Sequence, residues 1–67
     1  MLTIKELKKQ MYKFKGVTVL VGNLGTTYST FEAFKNDCRV DNLVVIRTKV
    51  AYGKVTIEAA ERMAVGG

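Results

Sequence analysis

The feature that most restricts this chain is a helix signal close to its start, Thr3 to Gly16, in which the beginning, the apolar stripe and the end are all written. Thr3 reads as an N-cap. Glu6, three residues on, completes a capping box in which each side chain accepts from the other residue's otherwise unbonded N–H. Leu2 and Leu7 supply the accompanying hydrophobic staple. Ile4, Leu7, Met11 and Phe14 recur at helical spacing and form one apolar stripe, while Lys5, Lys8, Lys9, Lys13 and Lys15 fall elsewhere. Lys13 and Lys15 occupy the expected last turn, where the helix dipole favours cations, and Gly16 reads as the stop. Such a helix must lie on something, and its outer face is basic.

The rest of the chain supplies a sheet. Val17-Thr18-Val19-Leu20-Val21 is β-branched and alternating, with Val17, Val19 and Val21 on one face, and Gly22-Asn23-Leu24-Gly25 breaks it as a turn. Thr26 to Cys38 carries two patterns. Thr26 to Phe31 favours extended structure, whereas Ser29 with Glu32 forms a second capping box, and Phe31, Phe34 and Cys38 recur at helical spacing. The segment is therefore read either as a strand that makes a hairpin with Val17 to Val21 or, in preference, as a short extended piece followed by a helix from about Thr30 that ends near Asn36 to Arg39. Val40-Asp41-Asn42 is a connection, and Leu43 to Val50 is a strand.

The last strong signal sets a register. With a turn at Tyr52-Gly53, Val50 opposes Val55, Thr48 opposes Ile57 and Ile46 opposes Ala59 on one face; on the other, Lys49 opposes Thr56 and Arg47 opposes Glu58. A slip of one residue would destroy both the apolar and the ionic matches. This register puts Leu43 and Val45 on the polar face. The strand is expected to run to about Ala60. From 59 to 65 the strand parity of Ala59, Met63 and Val65 competes with a run of helix formers, and Gly66-Gly67 is expected to fray. The predicted architecture is one α+β domain over residues 1–67. An N-terminal amphipathic helix packs on an antiparallel sheet of three or four strands, and a short second helix precedes the C-terminal hairpin.

Composition narrows the function. Sixty-seven residues hold one small core, and a single cysteine with no histidine leaves neither an internal disulfide nor a zinc set. Self-association into a homodimer is the remaining way to add buried area. No apolar run reaches the ~20 residues of a membrane span, which with the lone thiol points to the cytoplasm. Gly22-Asn23-Leu24-Gly25 lacks the Lys-Ser/Thr of a phosphate loop and reads as a plain turn. Cys38 has no histidine to activate it and reads as buried or tolerated. Of the acids, Glu6 and Glu32 serve as caps and Glu58 as the partner of Arg47; Asp37 and Asp41 flank a connection without a calcium-loop pattern. No catalytic set and no cofactor motif is present, so the expectation is a non-enzymatic binding module.

The charge is +5 and unevenly placed: residues 1–16 carry five lysines against Glu6, and residues 17–67 carry six basic against five acidic groups. Such a field attracts nucleic acid or an acidic protein surface. The candidate contacts are Lys5, Lys8, Lys9 and Lys13 on the helix, and Arg47, Lys49, Lys54 and the stacking ring of Tyr52 on the hairpin. The alternative is a protein-interaction or inhibitory module, dimeric and of the small basic kind associated with phage and mobile elements.

Overall fold

A computed structural model describes residues 2–11 and 14–61 of the chain. Lys13, the expected frayed tail and the open stretch beyond Glu61 lie outside the described residues. The elements are α1 (Ile4–Gln10), β1 (Gly16–Val21), β2 (Leu24–Tyr28), α2 (Phe31–Asn36), a short 3-10 turn (Cys38–Val40), β3 (Val44–Ala51) and β4 (Lys54–Ala60). They form the α+β arrangement of an N-terminal helix, a four-stranded sheet and a second short helix before a C-terminal hairpin. Among the described residues no helix is long and apolar enough to cross a membrane.

The strand order is β2-β1-β4-β3, and the sheet is mixed: β1 pairs with β2, and β3 with β4, in antiparallel fashion, whereas the central pair β1–β4 runs parallel. The expectation of an all-antiparallel sheet is corrected at that one seam. Parallel strands usually read as continuous apolar runs because both their faces are covered. Here β1 and β4 are central, yet they alternate, because the helices cover one face only.

That covered face holds the core. Val17 and Val19 of β1, Tyr28 of β2, and Val55, Ile57 and Ala59 of β4 are buried against Ile4 of α1 and Phe31 and Phe34 of α2. Ile4 and Phe34 are 0% exposed. The Phe34 ring meets Tyr28 edge-on with centroids 5.5 Å apart, and Phe31 at 6.2 Å.

α1 starts as its sequence says, with the Thr3–Glu6 capping box in place. It ends sooner, at Gln10, with Met11 already extended (φ −79°, ψ 143°), so Gly16 begins β1 instead of stopping a helix. The apolar stripe still packs, since Leu7, Met11 and Phe14 are partly buried against the core. Burial rewards apolar contact whatever the backbone conformation, and here the chain leaves the helix to place Lys15, whose N–H donates to the Gly53 carbonyl (2.7 Å). α2 is capped by Thr30, not Ser29: its hydroxyl accepts from the Ala33 N–H at 3.1 Å. Cys38 is exposed just beyond it, which fits the tolerated of its two expected roles and not the buried one.

The hairpin register holds from Arg47–Glu58 to Ala51–Lys54. Below it the ladder shifts between Val45 and Arg47, so that Val45 opposes Ala59 and Ile46 is the residue absorbed by the irregularity. An extra residue in one strand flips the parity beyond it. Val45 and Leu43 therefore join the core margin, whereas Ile46 is 64% exposed, which reverses the expected placement of both positions. Leu2 to Ile4 then pair along the start of β3: the Val45 N–H donates to the Leu2 carbonyl (2.8 Å) and the Ile4 N–H to the Leu43 carbonyl (2.9 Å).

The shift has a measurable signature. Val45→Lys should cost about 1–3 kcal/mol in denaturant unfolding, because it drives an ammonium against the core. Ile46→Lys should stay within about 0.5 kcal/mol of the parent. An uninterrupted ladder would give the opposite order.

Candidate nucleic-acid interface

Among the described residues no helix covers the sheet's second face, and its side chains are set by strand alternation. Across the four strands, Thr27, Thr18, Thr56 and Lys49 fall in one row, and Gly25, Leu20, Glu58 and Arg47 in the next. The hydroxyls of Thr18 and Thr27 lie 3.4 Å apart, and Arg47 donates its Nε–H to Glu58. Lys54 stands diagonally across the β3–β4 pair from Lys49 on the same face. Arg47, Lys49 and Lys54 are thus brought together as the sequence implies.

Tyr52 lies at the tip of the same hairpin. The β3–β4 turn has positive φ at both central residues, 54° at Tyr52 and 77° at Gly53, the requirement of a type I′ hairpin. Gly53 meets it freely, whereas a tyrosine in the left-handed region is strained by about 1–2 kcal/mol. Its ring is 96% exposed, so no packing offsets that strain. Lys15 arrives alongside: its methylenes pass 3.5 Å from the point where a Cβ on Gly53 would sit. Sequence reasoning placed Lys15 in a helix and so missed it. No local signal could have found it, because the strand that brings Lys54 beside it pairs in parallel from far along the chain.

The helix lysines are elsewhere. Lys5 and Lys9 are exposed on the helical layer, the side of the sheet opposite Arg47 and Lys49. Lys8 is not available as a surface cation. Its side chain is 8% exposed, and its ammonium donates to Asp41 Oδ1 (2.6 Å) and to the Asp37 carbonyl (2.8 Å), 5.1 Å from the centre of the Phe34 ring. It ties α1 to the connection after α2.

The acids are likewise engaged. Asp37 accepts from the Arg39 side chain at 2.9 and 3.0 Å, from the Arg39 backbone at 3.0 Å and from the Tyr28 hydroxyl at 2.7 Å. The Arg39 guanidinium, then the Tyr28 hydroxyl, hold its carboxyl well below the usual range. Burial, then donation to Asp37, pushes the Tyr28 phenol up to about 12. Ion pairs among the described residues join Lys8 to Asp41, Arg39 to Asp37 and Arg47 to Glu58, and none includes Lys15, Lys49 or Lys54. Among the described residues no three metal-ligating side chains converge.

The chain matches no protein-family model, no curated protein and no solved structure.

Two outcomes test these assignments. Lys8→Met keeps the stem but strands the Asp41 carboxylate and the Asp37 carbonyl, and should destabilise by about 1–3 kcal/mol. The contribution of Asp37 is fully present above its ordinary value of 3.8 and is lost as pH falls through its lower folded value. That of Tyr28 is full below 10 and fades as pH rises through about 12. Thermal midpoints should therefore drop on both flanks, and Asp37→Asn should flatten the acid flank.

Proposed function

We propose that this domain is a non-enzymatic nucleic-acid-binding module that holds a single strand along the open face of its sheet. The observation that carries the reading is the exposed ring of Tyr52, on a backbone held at positive φ at the tip of the hairpin that bears Lys49 and Lys54 and that Lys15 adjoins at Gly53; none of these lysines has a carboxylate partner among the described residues. Strain retained at an exposed aromatic suggests a use for the ring beyond folding. Cations that track a backbone beside a stacking platform are the elements of sequence-tolerant single-strand binding. With one ring and a threonine row, the face favours phosphate contacts over base readout. Arg47, shared with Glu58, is a secondary contact, and Lys5 and Lys9 lie on the wrong side.

A second reading is docking of another protein, including a second copy of the chain. Ile46 and Val50 are 64% and 60% exposed on the edge strand β3, where an extended segment could add. The shift at Ile46 works against it, because an irregular edge pairs poorly.

Anisotropy of a labelled short oligodeoxythymidine should give log K falling with log salt at a slope of about −2 to −3, as for three to four phosphate contacts to a single strand. Lys49→Ala or Lys54→Ala should each flatten the slope by about one contact, while Lys5→Ala with Lys9→Ala should leave it unchanged. Tyr52→Asn should raise stability by about 1 kcal/mol, because asparagine tolerates the left-handed region, and yet weaken binding about tenfold. Absence of binding at about 50 mM salt would overturn the reading.

A further inference from the structure

At the hairpin-tip end of the open face, the start of β1, the end of β2 and the start of β4 enclose a recess of about 270 Å³. Its wall is built from the side chains of Lys15 and Lys54, the hydroxyl residues Thr18, Thr27 and Ser29, and Gly16, together with Val17 and Tyr28. Among the described residues no carboxylate lines it. We infer that this recess is a binding site for a single phosphate group, independent of whether a nucleic-acid strand runs across the sheet.

The donor set fits that chemistry. Two ammonium groups stand on separate segments, Lys15 steadied against Gly53 and Lys54 on β4. The hydroxyls of Thr18 and Thr27 share one hydrogen between them at most, which leaves at least one O–H to donate outward, and Ser29 adds another. Donors arriving from three segments suit an anion with oxygens in several directions, whereas a planar carboxylate would satisfy fewer of them.

Gly16 makes room. It lies in register with Lys54, two residues before Thr18 and on the same face. A Cβ there would sit 3.4 Å from the Tyr28 carbonyl oxygen and 3.9 Å from Lys54 Cγ, ordinary contacts that the fold accepts. A larger side chain would therefore fill the recess without forcing the backbone.

The test is an amide-resolved NMR titration of the whole chain with inorganic phosphate, against sodium chloride at matched ionic strength. Saturable shifts confined to Gly16, Thr18, Thr27, Ser29 and Lys54 are expected. Lys15→Gln with Lys54→Gln should weaken the fitted affinity at least about tenfold, because two charge-assisted bonds are lost. Gly16→Val should abolish the shifts while keeping a folded spectrum. If Gly16→Val fails to fold, Gly16→Ala should still reduce affinity. Shifts that chloride reproduces, or affinity that survives both lysine changes, overturn the site. A 5′-phosphorylated oligonucleotide that outbinds its 5′-hydroxyl twin assigns the group to a strand end, and equal binding assigns it to free phosphate. Saturation by phosphate alongside no oligonucleotide binding removes the nucleic-acid reading and keeps this one.

Discussion

Phe34 is the contact on which the two layers depend. It is fully buried, meets Tyr28 edge-on and Phe31 obliquely, and carries the Lys8 ammonium near its face. Through it α2 touches β2, while the Lys8 ammonium beside it holds α1 to the segment that follows α2. A chain this short can cover only one side of a sheet, and Phe34 fills the centre of that side. The other side is left largely to threonines and charged side chains.

Much of this was legible because one-sided burial writes a clear parity into each strand. Val17 and Val19, then Val55, Ile57 and Ala59, announce their buried face, and Arg47–Glu58 with Val50–Val55 fixes the hairpin register. The Thr3–Glu6 box was legible for the same local reason: its partners are three residues apart. What was not legible is long-range. The parallel seam joins strands separated by β2, α2 and β3, and nothing in either strand's pattern distinguishes a parallel neighbour from an antiparallel one when only one face is covered. The shift at Ile46 was hidden because Val45 and Ile46 are both apolar and β-branched, so each fits either face until Leu2–Ile4 pairs with the strand's start.

The charge count misled in a similar way. A net +5 suggests a diffuse basic surface with its centre on the first helix. In the fold, Lys8, Arg39 and Arg47 are each matched by a carboxylate, and Lys8 is buried. The cations that remain near one another are Lys15, Lys49 and Lys54, drawn from three separate stretches of chain. Lys15 was invisible as a member of this group because its neighbour is a strand that closes the sheet from far along the sequence. Sequence counts charges; only the fold says which of them still face water together.

The position of β4 bears on how the molecule can be assembled. β4, the last of the described strands along the chain, is not at a border but in the middle, bonded to β1 on one side and β3 on the other. Without β4 the β1–β2 pair and β3 share no ladder, although Leu2–Ile4 already pairs with the start of β3 and Lys8 with Asp41. Such an order makes closure of the sheet depend on its most central strand, which favours one cooperative folding event.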